Sequence, residues 1–137
     1  MAEEYQPDNK ATNMKSLFPI TITEKLTETK EFYTKLFGFE VVFEADWYIH
    51  MRHASGVEIA VMLPNLENQP AFLHGAYAGN GIVYSLAVDD ATAEYERLKW
   101  LGTTFVLKLK DEECGQRHFM MKDPSGIFVD VVQQLSQ

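Results

Sequence analysis

The order of hydrophobic patterns along the chain occurs twice. The first copy runs from a strand-like "LFPITIT" through the helix-like "LTETKEFYTKLFG" to three strand-like runs, "FEVVFE", "DWYIHMR" and "VEIAVML". The second runs from "GIVYSLAV" through "ATAEYERLKWLG" to "TTFVLKL", "QRHFMMK" and "IFVDVV". In the first helix Leu26, Phe32, Tyr33, Leu36 and Phe37 make an apolar stripe, Thr27 is the expected N-cap and Gly38 the stop. In the second, Asp90 is the expected cap and Gly102 the stop. Gly38 thus matches Gly102, and Gly56 before "VEIAVM" matches Gly126 before "IFVDVV".

A chain that repeats strand, helix, strand, strand, strand must lay each helix on one face of its own sheet. The fold predicted is α+β: two βαβββ modules forming a curved mixed sheet around a concave pocket, with the helices on the outer face. Residues 1–15 read as a loose polar tail and 16–137 as a single domain. Module one spans about 16–64, a linker rich in Pro, Gly and Asn spans 65–81, and module two spans about 82–134.

Composition narrows the function. Of 137 residues, 46% are hydrophobic and 12% aromatic, enough for a packed core. A net charge of −8 argues against nucleic acid or anionic membrane as a partner and suits a cationic ligand. Cys114 is the only cysteine, which excludes an internal disulfide and a cysteine metal cluster. No stretch reads as a signal peptide or a membrane span, so the cytoplasm is the expected location.

Alternation along the strands assigns faces. In "GVEIAVM", Val57, Ile59 and Val61 suit the helix side, leaving Glu58, Ala60 and Met62 opposite. In "GIFVDVV", Ile127, Val129 and Val131 suit the helix side, leaving Phe128, Asp130 and Val132. Asp130 therefore points towards the pocket, where it meets a ligand, water, or a protein donor such as Arg117 or His118. For "DWYIHMRHASGVEIAVM" the loop length decides. An even loop puts Trp47, Ile49 and Met51 on the pocket side, and an odd loop puts Tyr48, His50 and Arg52 there.

The segments "KEFYTKLFGFEVV", "VDDATAEYERLKWLG" and "GQRHFMMKDPSGIFVDVVQ", in this order, resemble the vicinal oxygen chelate superfamily, which contains glyoxalase I, extradiol dioxygenases, and bleomycin- and fosfomycin-resistance proteins. The resemblance covers roughly Leu17 to Gln133. It implies four positions that in metal-dependent members hold a divalent ion, usually through His, Gln or Glu. Here they fall on Phe18, Ala60, Val83 and Asp130, and three of these side chains cannot ligate. No metal and no cofactor is therefore expected. A noncognate set of His50, His118 and Asp130 is the alternative.

Similarity to the bleomycin-binding branch, carried by "LFPITITEKLTETKEFY", favours Trp47 inside the pocket. It also implies a homodimer whose pockets take strands from both chains. A departure is "ECGQRH", where Cys114 replaces an aromatic residue common in that branch. The candidate ligand-binding residues are Phe18, Trp47, Glu58, Met62, Phe128 and Asp130, with Phe72 as a further aromatic. They suit an aromatic or cationic organic molecule, such as an antibiotic, held without conversion. The alternative is a lyase, isomerase or dioxygenase with unconventional metal ligands or with Asp130 or Glu58 working beside His118.

Overall fold

A computed structural model describes residue 4 and residues 11–135. Most of the tail expected over residues 1–15 lies outside the described residues. The elements are β1 (Ile20–Ile22), α1 (Leu26–Phe37), β2 (Glu40–Ala45), β3 (Tyr48–Arg52) and β4 (Glu58–Met62). After a short 3-10 turn at Ala71–Leu73 follow β5 (Val83–Ala87), α2 (Ala91–Trp100), β6 (Leu107–Glu112), β7 (Gln116–Lys122) and β8 (Phe128–Gln134). Two four-stranded mixed sheets result, in the orders β1-β4-β3-β2 and β5-β8-β7-β6. In each the first strand runs parallel to the last and the other pairs are antiparallel. The two βαβββ modules anticipated from the repeat are present.

Local chemistry explains most element boundaries. Asp90 caps α2 by accepting from Ala93 N at 3.0 Å. Helix α1 begins earlier than Thr27, at buried Leu26, and Lys25 at its N-cap gives no side-chain hydrogen bond. Docking of Leu26 into the core fixes this end in place of a cap. Gly38, at φ 75°, closes α1 with a bond to Tyr33 O.

The β3–β4 and β7–β8 turns are built alike. Gly56 N donates to His53 O at 2.9 Å and Gly126 N to Asp123 O at 3.0 Å. The two glycines have φ of 98° and 99°, where a side chain would be strained. Even the supporting bonds correspond: Ser55 N donates to His53 Nδ1 and Ser125 N to Asp123 Oδ1.

Each helix packs on its own sheet, α1 on β2 to β4 and α2 on β6 to β8. The buried side chains form one continuous cluster across both modules. Tyr33, Ile49, Met51, Ile59 and Val61 supply one half, and Leu98, Phe119, Met121, Val129 and Val131 the other. The helix-side assignment of Ile59, Val61, Val129 and Val131 is correct, and Ile127 is buried too. Val57 departs from it. That residue precedes β4 and is exposed.

A polar joint fastens the halves. Tyr33 OH donates to Asp123 Oδ2 at 2.7 Å, and the hydroxyls of Thr29 and Ser125 lie 2.6 Å apart. Asp123 is 3% exposed, and its Oδ1 also accepts from Ile127 N at 3.0 Å. Burial pushes this carboxyl above the ordinary aspartate range, while the Tyr33 and backbone donors oppose the shift. Nearer the C-terminus of α1, Arg97 Nη2 donates to Leu36 O at 2.8 Å.

Tyr33→Phe should leave Asp123 short of a donor and cost about 1–3 kcal/mol in urea unfolding. The hydroxyl favours the ionised acid. The cost should therefore be largest near neutral pH and shrink as pH falls through the raised folded value of Asp123, reaching its minimum by about pH 4.

Candidate functional site

The β3–β4 loop spans His53 to Val57, an odd number of residues, and it settles which side chains share the face opposite α1. Arg52 pairs with Glu58, His50 with Ala60 and Tyr48 with Met62. Directly opposed residues point the same way, so Tyr48, His50 and Arg52 stand beside Glu58, Ala60 and Met62. The expected placement of Ile49 and Met51 on the pocket side is corrected: both lie in the core under α1, 2% and 0% exposed. Trp47 falls in the two-residue β2–β3 turn, partly exposed, with its ring 5.4 Å from that of Tyr48.

These side chains form a connected polar row. The Tyr48 hydroxyl lies 2.8 Å from His50 Nδ1, and His50 Nε2 lies 2.6 Å from Glu58 Oε1. With the Nε2–H donating to Glu58, Nδ1 accepts from Tyr48, which fixes the ring orientation. The Phe18 ring meets His50 edge-on at 4.6 Å, and Arg52 approaches Glu58 at 3.7 Å. The His50 hydrogen bond, with help from Arg52, holds the Glu58 carboxyl below the usual glutamate range against the opposing effect of burial.

The second module carries a different set on its corresponding face. Asp130 Oδ1 lies 2.7 Å from His118 Nδ1, and Ser85 Oγ donates to Asp130 Oδ2 at 3.1 Å. His118 Nε2 meets Glu112 Oε2 at 2.8 Å. A carboxylate at each ring nitrogen makes both nitrogens donors, the arrangement of an imidazolium. Glu112 first and Asp130 second raise His118 above the ordinary histidine range. Of the two donors anticipated for Asp130, His118 is the partner. Arg117 instead pairs with Asp111 at 2.7 Å.

The remaining candidates scatter. Met62 is buried beside Tyr48, and Phe128 lies under the Lys122 ammonium, 5.1 Å from its ring centre. Phe72 sits in the 3-10 turn, 84% exposed.

Between the modules lies a cavity of about 450 Å³ with mostly apolar walls. Leu17, Val57, Ile59, Val83 and Leu86 line it, and Glu58 and Ser85 supply its polar groups. One end member of each row thus reaches a shared space. Sequence reasoning had not singled out Ser85 or Glu112, and it held Tyr48 only as the odd-loop alternative. The signal for Tyr48 and His50 was the odd hairpin loop. Ser85 is marked only by its register opposite Asp130.

The donor set does not fit a resident metal ion. Beside Ala60 in the sheet stands Ile20, and beside Asp130 stands Ser85. Val83 pairs with Phe128. Among the described residues no group of three or more His, Cys, Asp or Glu side chains is placed to hold an ion. The set His50, His118 and Asp130 is not assembled, because His50 is engaged with Glu58 in the other module.

His118 should titrate above about 6.5 in an NMR pH series. A group with a raised folded pKa stabilises the fold below its unfolded pKa and loses that contribution as pH rises through the folded value. Glu112 shifts the opposite way and contributes above its ordinary value of 4.5. The stability advantage of the native chain over His118→Gln should therefore be greatest between about pH 4.5 and 6.5 and decline at higher pH.

Residues 20–131 match the Glyoxalase/Bleomycin resistance protein/Dioxygenase superfamily. Solved structures share the fold at low identity. A glyoxalase/bleomycin resistance protein/dioxygenase from Nocardioides superposes with a TM-score of 0.77 at 19% identity, covering 93% of this chain and 88% of that one. A lactoylglutathione lyase from Agrobacterium tumefaciens gives 0.70 at 17%, covering 89% and 96%. TioX from Micromonospora sp. ML1 gives 0.67 at 15%, covering 89% and 100%. No curated protein matches in sequence. With the match spanning both modules, the chain belongs to the glyoxalase/bleomycin resistance protein/dioxygenase superfamily.

Proposed function

We propose that the chain binds a small organic molecule without a metal ion and without converting it. The observation that carries this reading is the chemistry of the would-be coordinating corners. Phe18, Ala60 and Val83 are hydrocarbon, and Asp130 is already engaged by His118 and Ser85. What is left is a hollow of binding size, about 450 Å³, with a few fixed polar groups in an apolar wall. Its one carboxylate, Glu58, is oriented by His50 and held ionised. A molecule with a flat apolar body and a cationic or hydrogen-bond-donating group complements that wall, as an antibiotic of this character would. Trp47 and Phe18 border the same row and offer aromatic surface to a larger ligand.

The same reading makes the protein a symmetric dimer. Leu17, Val57 and Val83, which line the hollow, are all more than 50% exposed in the single chain. A second copy would cover them and complete the walls. We place the protein in the cytoplasm, where the exposed thiol of Cys114 would stay reduced. No helix among the described residues is long and apolar enough to cross a membrane.

Calorimetric titration with planar cationic aromatics should give saturable binding, with the ligand recovered unchanged and with no effect of prior dialysis against a chelator. Glu58→Gln should weaken a cationic ligand by about tenfold, the loss of one charge-assisted contact. Turnover of the ligand, or binding that vanishes on chelation and returns with a divalent ion, would overturn the assignment.

A further inference from the structure

Glu58 and Ser85 bring polar groups to the hollow from opposite modules, one from β4 and one from β5. A third, the hydroxyl of Tyr84, lies 3.2 Å from that of Thr21 and is satisfied there. As a carboxylate, Glu58 can only accept, and with His50 and Ser16 bonded to it lone pairs remain for a ligand. A serine hydroxyl holds both one hydrogen to give and two lone pairs to receive. What Ser85 offers a ligand therefore depends on where its hydrogen goes.

The cluster behind Ser85 answers this. Ser85 stands opposite Asp130 in the β5–β8 ladder, and its Oγ donates to Asp130 Oδ2 at 3.1 Å. The other oxygen of Asp130 receives His118 Nδ1–H at 2.7 Å, while His118 Nε2–H goes to Glu112 at 2.8 Å. A ring with an acid at each nitrogen gives both hydrogens and accepts none, so Asp130 receives at both of its oxygens. The Ser85 hydrogen is committed to the strongest acceptor within reach, and only the lone pairs of Oγ are left over. Strand alternation puts Ser85 on the same face of β5 as Val83, which is 52% exposed at the hollow. Ser85 is itself exposed, so those lone pairs are accessible.

We propose that Ser85 serves the hollow as an acceptor only, and that with Glu58 it selects a ligand bearing two hydrogen-bond donors. A cationic donor meets Glu58, and an uncharged O–H or N–H meets Ser85. The inference rests on the reading of this hollow as a binding site and narrows its ligand class. A ligand that turns a carbonyl, an ether or an anionic oxygen towards Ser85 brings lone pairs against lone pairs and leaves its own acceptor unpaired. Sites built to accept from a ligand hydroxyl reject the analogue that lacks the hydrogen. The Asp130–His118–Glu112 cluster thus acts on the ligand through Ser85: it fixes the polarity of that one hydroxyl.

The test titrates the full chain with meta- and para-hydroxybenzamidine and with the methyl ether of each, by calorimetry and on the methyl signals by NMR. The amidinium serves Glu58, and the phenol can donate to Ser85 where the ether cannot. A pH of about 5.5 lies above the ordinary glutamate and below the ordinary histidine value, so Glu112 keeps both ring hydrogens on His118. For the tighter isomer, the native chain should prefer phenol over ether by about tenfold more than Ser85→Ala does, the worth of one hydrogen bond. Asp130→Asn should invert the hydroxyl. The carbonyl of the new amide accepts from His118, its NH2 donates to Ser85 Oγ, and the serine hydrogen turns to the hollow. The preference should then fall to the Ser85→Ala level or below, with melting temperature and His118 ring signals reporting the fold and the cluster. Where Asp130→Asn loses its fold, the Ser85→Ala comparison decides alone. Equal preference in the native chain and Ser85→Ala would overturn the proposal. So would a preference that survives Asp130→Asn with the cluster intact, or a native chain that favours the ether. If Glu58→Gln still weakens binding, those results strike the role of Ser85 and leave the hollow as a site. Absence of saturable binding, or shifts that miss Leu17, Val57 and Val83, would strike the hollow as well.

Discussion

A carboxylate buried without a cation holds the two modules in register. Asp123 opens the β7–β8 turn of one module and accepts from Tyr33 on the helix of the other. Its second oxygen takes two backbone N–H groups of its own turn. Such an acid is costly to bury, and its raised pKa records that cost. The donors that offset it are placed only when the turn has its glycine and α1 is docked. Thr29, one turn of helix before Tyr33, adds the Ser125 hydroxyl to the same joint. Registration of the halves in turn determines which edges of the sheets face one another, and the hollow lined by Glu58 and Ser85 lies along that seam.

Duplication explains why the joint is asymmetric. His53 occupies the place of Asp123 in the equivalent turn and accepts the same serine N–H. It is neutral-capable, more exposed, and packs on Phe39 at 5.2 Å instead of bonding a tyrosine. The pocket faces have diverged in the same manner. With Arg52 and Glu58 mapped onto Lys122 and Phe128, Tyr48 maps onto His118, His50 onto Met120 and Ala60 onto Asp130. Neither module keeps the other's polar row. Module one holds an acid oriented by a histidine that accepts from a tyrosine. Module two holds a histidine clamped between two acids.

Much of this was legible in the chain itself. Period-two alternation in "EIAVM" and "FVDVV" placed Ile59, Val61, Val129 and Val131 on the helix side correctly, because both strands are central and covered on one face by a helix, whereas Val57, just before β4, is exposed on the hollow. The face of β3 was not legible from alternation alone, since "WYIHMR" offers an aromatic and an apolar residue on each side. Only the odd loop, fixed by the positive-φ glycine, decided it. Asp123 escaped notice as a structural acid because an Asp-Pro-Ser-Gly run reads as an ordinary solvated turn. Its burial depends on Tyr33, 90 residues away in the chain, which no local pattern encodes. The same holds for Ser85, whose role comes from its tertiary neighbour Asp130.

The two histidine rows also differ in what they can offer a ligand. His118 has spent both ring nitrogens on carboxylates, and with Lys110 3.3 Å from Glu112 the two positive and two negative charges cancel, while the outer oxygen on Asp130 is taken by Ser85. Glu58 has one oxygen on His50 and Arg52, and it lines the larger hollow. An acid fixed in direction and held below its ordinary pKa remains charged when solvent is excluded, which a freely rotating surface glutamate would not. Recognition of a cationic group should therefore centre on module one. Module two, whose charges already cancel internally, contributes shape and the Ser85 hydroxyl.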